Sequence, residues 1–309
     1  MEEELSAFAA KNILVIGDTI LDITIEAEAV GLSLESPTLK AVQKDKLVSF
    51  GGAFNVVKNI ISLGARCTFV TLVGKDEYQS HIEGFRHPNL NFISLYEEEY
   101  NNVVKSRFWA RRGDHKYKVF QLNSGNKLSG ELKGNNIETM KRLLEKEGAF
   151  DRVLLVDYRN GLLTEGAVGM IKDTATAPII ASSQMSDGSP NYKMYDGAGL
   201  ICMNEREYAA NKNHLFQSSL CITQGERGSS LYMEGAVYDV PTIKVGVRDS
   251  CGAGDCFLAA LSVHDYEKYP EEALFASNVY AAMSVTRIGT QLPDFKEYNE
   301  YIRKNSRNK

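Results

Sequence analysis

Short apolar runs alternate with helix-like segments along most of this chain. Runs typical of buried strands lie at 12–17, 67–73, 152–156, 178–181, 199–202 and 219–223. Apolar positions with helical spacing separate these runs, at 53–63, 135–146, 164–173 and 204–211. Because strands that alternate with helices form βαβ units, the sequence predicts an α/β fold. We expect a mostly parallel sheet with helices on both faces.

Two segments depart from this alternation, at 23–49 and at roughly 102–121. Each contains short stretches in which apolar and polar residues alternate, which is typical of half-buried antiparallel strands. We expect these segments to be β insertions in the α/β body. No internal repeat, low-complexity tract or proline-rich linker divides the chain. The sequence therefore predicts one domain over residues 1–309 with two insertions.

A glycine-rich segment near the C-terminal end, DSCGAGD at 249–255, carries the clearest chemical signal. It follows an alternating stretch at 243–247, which predicts a short strand, and precedes an apolar, helix-like run at 256–263. Gly252 and Gly254 can adopt positive φ angles, which lets the backbone approach a ligand closely. The sequence therefore predicts a strand-to-helix turn built for close contact.

This turn combines a cradle for an anion with a carboxylate. The first amides of the helix, at Gly252, Ala253 and Gly254, would point at one spot where the helix dipole favours negative charge. Asp255 is placed to take a proton from an attacking hydroxyl, as the base does in phosphoryl transfer. The alternative is an ordinary glycine-rich turn in which Asp255 is only an N-terminal helix carboxylate.

A second group of polar residues lies near the N-terminal end. Gly51 and Gly52 form a turn before the helix predicted at 53–63, and Asn55 at its start could hydrogen-bond a polyol or simply cap the helix. Asp18 and Asp22 follow the first apolar strand, where open α/β sheets bind ligands. A plain loop carboxylate or helix cap is the alternative for Asp22.

Composition excludes several other classes of protein. The formal net charge of -5 disfavours nucleic acid as a general partner, and no apolar stretch approaches the roughly 18 residues that would cross a bilayer. The N-terminal segment MEEELSAFAAK lacks the features of a signal peptide. We expect a cytoplasmic enzyme with reduced thiols, because the five cysteines form no CxxC pair.

Together these motifs resemble the ribokinase/PfkB family of carbohydrate kinases over nearly the whole chain. Asn204 and Glu207 match its NxxE element, which in that family is associated with Mg²⁺ and phosphate. The TxGxxG turn near the nucleotide is similar to the segment at 223–228. The resemblance implies ATP and Mg²⁺ as cofactors, with Glu207 near the metal. It places these further residues beside the nucleotide: Thr223, Gly225, Gly228 and Asn278.

The NxxE match has a structural alternative, because Asn204 is a good N-cap and Glu207 three residues later completes a capping box. Both interpretations remain open at this stage. The same geometry can leave the carboxylate facing water bound to Mg²⁺, which uses few protein carboxylates.

Within the family, the chain looks most like the heptose 7-phosphate kinases of ADP-heptose synthesis, at 15–42, 51–65 and 153–163. This implies transfer of the γ-phosphoryl group of ATP to a sugar hydroxyl, with Asp255 as base. The resemblance implies sugar contacts from Asp18, Asp22, Gly51, Gly52 and Asn55. No HxGH motif follows, so we expect a separate adenylyltransferase.

The resemblance also implies that the two insertions form a lid over the sugar, often with a homodimer contact. A basic stretch lies in the second insertion, and Arg107 is its best candidate for capturing a phosphate already on the sugar. A solvated strand face is the alternative, since alternation allows only part of the stretch to face one ligand.

Two departures from the family pattern leave the sugar open. Ser182, Ser183 and Gln184 stand where the subgroup has Asp-Pro-Lys, and Cys251 stands where Thr or Ser is common. A kinase for another sugar, a sugar acid or a nucleoside is therefore the main alternative. A sugar-binding regulator without activity is a further one. A dinucleotide-binding protein is disfavoured, because no GxGxxG follows the first strand.

Overall fold

The computed structural model describes residues 8, 10–185, 191–287 and 289–306. The expectation about a signal peptide rests mostly on residues 1–7 and 9, which lie outside the described residues. No helix among the described residues is both long enough and apolar enough to cross a membrane.

Two sheets make up the β structure of the described residues. The strands are β1 (Asn12–Gly17), β2 (Thr19–Leu32), β3 (Leu39–Gly52), β4 (Arg66–Leu72), β5 (Leu90–Leu95), β6 (Asn101–Arg112), β7 (His115–Asn126), β8 (Arg152–Asp157), β9 (Ile179–Ser183), β10 (Leu200–Asn204), β11 (Ser219–Thr223), β12 (Ser229–Met233) and β13 (Ala236–Val240). The helices are α1 (Ala53–Ser62), α2 (Gln79–Glu83), α3 (Gly134–Leu144), α4 (Glu165–Thr174), α5 (Glu205–Asn211), α6 (Ala253–Val263), α7 (Pro270–Ser284) and α8 (Phe295–Ser306).

The larger sheet has nine strands in the described chain, in the order β13-β12-β11-β10-β9-β8-β1-β4-β5. From β5 to β11 all neighbours are parallel, and only β12 and β13 run antiparallel. The predicted α/β fold with a mostly parallel sheet is confirmed, and the fold is ribokinase-like.

Successive side chains of the central strands point to opposite faces of the sheet and pack into two separate hydrophobic cores. Ile13 and Val15 of β1 face the core formed with α1, α6 and α7, whereas Leu14 and Ile16 face the core formed with α3 and α4. A strand buried on both faces needs apolar residues at every position. This requirement explains the unbroken apolar run by which the sequence marks β1.

The second sheet, which we call the lid, contains β2, β3, β6 and β7 in the order β3-β2-β6-β7. The expectation of antiparallel strands is only partly correct, because β2 and β6 are parallel. β2 follows β1 after one residue and β6 follows β5 closely, and both preceding strands run in the same direction. The two lid strands therefore leave the body at the same edge and in the same direction.

Two local predictions were wrong. Residues 243–247 form no strand, because the ladder of β13 ends at Val240 and the next residue, Pro241, has no amide to continue it. Gly51 and Gly52 form no turn, because β3 runs through both and α1 begins at the next residue. Gly52 has φ of 64°, and a Cβ there would lie 2.4 Å from the carbonyl oxygen of Asp18.

Candidate active site

Asp255 lies in the first turn of α6, and both of its carboxylate oxygens accept hydrogen bonds. The Asn55 Nδ2 donates to Oδ2 at 2.8 Å, and the Tyr158 hydroxyl donates to Oδ1 at 2.6 Å. Burial raises the pKa of Asp255, whereas these two donors and the nearby Lys58 ammonium lower it. The site therefore holds a carboxylate whose proton affinity is set by opposing effects.

Two helices begin close together at this carboxylate, and a glycine permits their approach. Gly252 is the N-cap of α6 in a left-handed conformation with φ of 81°. A Cβ at this position would lie 2.8 Å from Nδ2 of Asn55, in the first turn of α1. The predicted role of Gly252 in a close approach therefore has a specific partner, Asn55, which the sequence did not indicate.

The first turn of α6 also presents backbone amides. The Ala253 amide donates to the carbonyl of Ser250 at 3.3 Å. The amides of Gly254 and Asp255 belong to the first turn, where no helical acceptor exists for them. Of the three amides expected to form the cradle, that of Ala253 is thus already partnered, and that of Gly254 is one of these first-turn amides.

Two residues beside Asp255 escaped the sequence analysis, Tyr158 and Lys58. Lys58 is half-buried on α1 and lies three residues after Asn55, which places both on one face of the helix. Desolvation lowers the pKa of Lys58, while the Asp255 carboxylate raises it. The i, i+3 spacing was a usable signal for Lys58. Tyr158 offered no local signal, because its contact with Asp255 spans 97 residues of sequence.

Asp22 and Arg107 form an ion pair on one face of the lid. Arg107 Nη1 donates to Asp22 Oδ1, and the exposed fractions of the two side chains are 26% and 18%. Gly51 lies against the same carboxylate, because a Cβ there would be 2.4 Å from Asp22 Oδ2. The structure therefore gives Arg107 a protein partner, which the sequence analysis did not foresee, and leaves part of its guanidinium accessible.

Asp18 lies below this surface rather than on it, with 1% of its area exposed. Its Oδ2 accepts the amides of Tyr158 at 2.9 Å and Asn160 at 3.1 Å. Burial, with a smaller effect from Asp157, raises the pKa of Asp18 to about 7. Asp18 thus organises the loop that presents Tyr158, while its Oδ1 has no hydrogen-bond partner within the described residues, and the sugar contact stays a prediction.

A cleft of about 770 Å³ opens beside the first turn of α6. Residues 242–245 line one side of it, and Gly254 links it to the amide cradle. Asn278 Nδ2 donates to the carbonyl of Val240 at 2.9 Å and so ties α7 to the end of β13. Four of the six residues expected at the nucleotide and its metal line this cleft, namely Thr223, Gly225, Gly228 and Asn278, whereas Asn204 and Glu207 do not.

Asn204 and Glu207 form the capping box that the sequence left as an alternative. Asn204 Oδ1 accepts the Glu207 amide and Glu207 Oε2 accepts the Asn204 amide, both at 2.9 Å. Oε2 also accepts the Tyr192 hydroxyl at 3.1 Å, and burial raises the pKa of Glu207. Within the described residues, no group of three or more acidic, histidine or cysteine side chains is arranged to hold a metal. The other carboxylate oxygen of Glu207, Oε1, accepts none of these three hydrogen bonds. It fits a Mg²⁺ ion that keeps most of its water ligands.

The position where the subgroup has Asp-Pro-Lys is occupied by a hydrogen-bond network. The Ser183 hydroxyl donates to Asp157 Oδ2 at 2.7 Å, and the Tyr195 hydroxyl donates to the same oxygen at 2.8 Å. The Gln184 amide donates to the Asp157 carbonyl at 2.8 Å. The other departure, Cys251, is exposed, and partial desolvation raises the pKa of its thiol.

Comparison with known proteins agrees with this architecture. Residues 201–296 match the model of the pfkB family carbohydrate kinases. The chain is 29% identical to the "Bifunctional protein HldE" of Bradyrhizobium diazoefficiens over 95% of its own length and 63% of that protein. The same protein of Rhodopseudomonas palustris strain BisB18 is 30% identical, over 94% of this chain and 63% of the relative. The chain thus spans less than two thirds of these relatives.

Solved structures show the same fold. The ribokinase of Arabidopsis thaliana complexed with ribose and ATP has a TM-score of 0.68 at 18% identity, covering 95% of this chain and 99% of that one. The ribokinase of Thermotoga maritima has a TM-score of 0.66 at 22% identity, with 94% and 99% covered. The family match, the relatives and the shared architecture show a ribokinase-like fold in which residues 201–296 are similar to the pfkB family carbohydrate kinases.

Proposed function

We propose that this protein transfers the γ-phosphoryl group of ATP to a sugar hydroxyl, and that the sugar is a heptose 7-phosphate phosphorylated at position 1. One observation carries the proposal. Asp255 and the amides of its helical turn lie between the 770 Å³ cleft and the polar residues beneath the lid. The resemblance to heptose 7-phosphate kinases and the HldE relatives support the choice of sugar.

The reaction follows from the position of this turn. The nucleotide occupies the cleft, with its γ-phosphoryl group at the amides of Gly254 and Asp255. The sugar hydroxyl donates its hydrogen bond to the Asp255 carboxylate and attacks phosphorus. Its proton passes to Asp255 as the new O–P bond forms, while the bond to the β-phosphate oxygen breaks and ADP leaves. The preorganised amides stabilise the charge that develops on the transferred group.

Asp255 performs this role only in its ionised form. Desolvation favours the neutral acid, so the hydrogen bonds from Asn55 and Tyr158 and the charge of Lys58 are needed to keep the proton off. Activity should therefore be present above the pKa of Asp255 and be lost as pH falls through it. The Mg²⁺ that kinases use would be held through water by Glu207 and would neutralise phosphate charge.

The sugar would lie between Asp22, Asn55 and the backbone at Gly51. Arg107 shares this space, and its guanidinium has five donors, of which the ion pair with Asp22 uses only part. A phosphate on the sugar would engage the remaining donors. A kinase for an uncharged polyol is the second candidate. It is favoured by the ion pair, which already gives Arg107 a carboxylate partner, and by the neutral side chains of Ser183 and Gln184 where the subgroup has Asp-Pro-Lys.

We also propose a homodimer formed through the lid. Apolar side chains are exposed on its strands, with Leu47 at 61%, Leu122 at 52% and Phe120 at 51%. β7 is an edge strand, and unpaired edges are sites where a second chain can add.

A reducing, cytoplasmic setting fits the five cysteines, all of which are free.

Replacing Asp255 by asparagine should abolish transfer while leaving the fold and nucleotide binding intact, because the change keeps the shape and removes the base. The expected loss of kcat is roughly 10²–10⁴-fold. Steady-state kinetics with Mg-ATP and heptose 7-phosphate on folded protein is the measurement. A variant that retains kcat within a few-fold of the parent would show that Asp255 is not the base.

Tyr158→Phe should move the acid limb of the kcat/KM profile to higher pH. The change removes one hydrogen bond to the ionised carboxylate, and we expect a shift of roughly one pH unit. Tyr195→Phe is the matched control, because it removes a similar bond to Asp157 but none to Asp255. An equal drop in rate at every pH would instead indicate a purely structural role for Tyr158.

Arg107→Ala should weaken the preference for a phosphorylated sugar over its free form. Charge-assisted bidentate bonds are about twice as strong as neutral ones, so KM for the sugar phosphate should rise about tenfold or more. KM for a free sugar should change little. Lys118→Ala, on the exposed neighbouring strand, is the control. If Arg107→Ala affects both sugars alike, the heptose 7-phosphate assignment fails and the polyol kinase remains.

Leu122→Glu should convert the proposed dimer to a monomer, because a charge would be buried at the lid contact. Sedimentation velocity of the parent and the variant is the measurement. Leu215→Glu is the control, since Leu215 is 90% exposed and lies outside the lid. A parent that sediments as a monomer at micromolar concentration would refute the proposed dimer.

A further inference from the structure

A second cleft, of about 730 Å³, lies at the same edge of the large sheet but beside its other face. The end of β8 separates it from Asp255. Tyr158 packs against the core on the α1 side and reaches Asp255, whereas the next residue, Arg159, lines the second cleft. The 3₁₀ helix Tyr192–Tyr195 and α4 contribute to the wall. The proposed transfer chemistry makes no use of this cleft.

Cations from three separate segments converge on this cleft. Lys127 follows β7, Arg159 follows β8, and Lys193 lies in the 3₁₀ helix. A fourth, Lys172, already donates to the carbonyl oxygens of Met194 and Asp196, at 3.1 and 2.8 Å. The first three side chains are therefore the ones available to a ligand.

The acidic residues of the cleft do not cancel this charge. Asp157 is 2% exposed, and its oxygens already accept the Ser183 and Tyr195 hydroxyls and the Arg159 amide. Its nearest approach to the Arg159 guanidinium is 4.0 Å. Glu165 is exposed at the start of α4. The lining thus holds four cations, Lys127, Arg159, Lys172 and Lys193, against two carboxylates, which leaves the cleft with a net positive charge.

The backbone of Arg159 is strained, with φ of 64°. A residue with a Cβ pays of order 1 kcal/mol or more for this conformation, and such strain persists mainly at functional sites. Glycine would fit this backbone without the cost. The conformation keeps the guanidinium in the cleft, where 31% of the side chain is exposed.

A buried amide adds a polar contact of a different kind. Asn191 is 8% exposed, lines the cleft, and donates through Nδ2 to the Ser183 hydroxyl oxygen. Its Oδ1 has no hydrogen-bond partner within the described part of the chain. The Ser183 proton is already committed to Asp157, which fixes the orientation of the amide. This oxygen is an acceptor that is closed to solvent, so a ligand hydroxyl reaches it only after the Asn191 side chain shifts.

We propose that this cleft binds a phosphate monoester that also carries a hydroxyl group, which is the chemistry of a sugar phosphate. Arg159, Lys127 and Lys193 bind the phosphate, and Asn191 accepts the hydroxyl. The ligand is either the phosphate end of the kinase's own substrate or a separate phosphorylated metabolite. The first case rests on the proposed function and places the substrate's phosphate here instead of at Arg107; the second is independent of it.

The test is calorimetric titration with glucose 6-phosphate, inorganic phosphate and glucose, with the nucleotide cleft filled by ADP. The parent should bind glucose 6-phosphate more tightly than either of the other two probes. Arg159→Gly relieves the backbone strain while removing the guanidinium, so it should fold and bind glucose 6-phosphate about tenfold or more weakly. Lys193→Gln should act in the same direction. Lys296→Gln, an exposed lysine on α8, which packs against the core on the opposite face of the large sheet, should have no effect.

Kinetics of Arg159→Gly distinguishes the two sources. If the ligand is the substrate's own phosphate end, KM for the phosphorylated sugar rises and KM for a free sugar does not. If the ligand is a separate metabolite, KM for both sugars stays unchanged although the variant binds glucose 6-phosphate more weakly in the calorimeter. The proposal is overturned if the parent does not prefer glucose 6-phosphate, or if Arg159→Gly binds it as the parent does. Asp255→Asn separates the two hypotheses, because it should retain this binding while losing transfer.

Discussion

The arrangement of this site depends on keeping one desolvated carboxylate ionised. The proposed mechanism requires Asp255 to accept a proton, and burial alone favours the protonated form, which cannot do so. Its three stabilising groups come from two distant parts of the chain, with Asn55 and Lys58 on α1 and Tyr158 after β8. They meet Asp255 only because α1 and α6 begin almost in contact, which Gly252 permits by having no side chain.

The same constraint explains why so many polar residues are buried at the carboxyl edge of the sheet. Tyr158 needs a fixed backbone to hold its hydroxyl at Asp255, and Asp18 supplies it by accepting the amides of Tyr158 and Asn160. Asp157, on the other face of β8, is held by Ser183 and Tyr195. Consecutive residues of a strand point to opposite faces, so one short segment serves two clefts. A structural change in either cleft can therefore be transmitted to the other through the backbone of residues 157–159.

The sequence predicted the parts of the fold that have their own local pattern. The buried parallel strands were evident from unbroken apolar runs, and the start of α6 from its glycines. The hairpin of β12 and β13 was missed although its turn, Glu234 and Gly235 with φ of 53° and 79°, has a usual two-residue form. The stretch at 243–247, which follows this hairpin, was wrongly predicted as a strand, because alternation of apolar and polar residues cannot show whether a neighbouring strand is present to pair with it. α7 escaped because it is buried on most sides and has no polar face to give it a period.

Site residues were predicted where their contacts lie close to them in the sequence, and were missed where those contacts come from distant parts of the chain. Gly252, Asp255 and the residues of the nucleotide cleft lie within recognisable motifs, and the structure brings them together. Tyr158 was missed because its contact depends on tertiary packing. The two backbone amides that Asp18 accepts were not foreseen, because a carboxylate beyond a strand looks the same in sequence whether it faces a ligand or a backbone amide.

The lid and the core of the site differ in how easily they can change partners. The Asp22–Arg107 pair is partly exposed, and such pairs contribute only about 0–1 kcal/mol, so a ligand phosphate can take over the guanidinium at little cost. The network around Asp18, Asp157 and Asp255 is buried, and removing one donor there leaves a charge without compensation. Substrate preference can therefore vary through lid residues while the transfer chemistry stays fixed. In the proposed function, this asymmetry assigns the choice of sugar to Arg107 and the lid, and the reaction type to Asp255 and its donors.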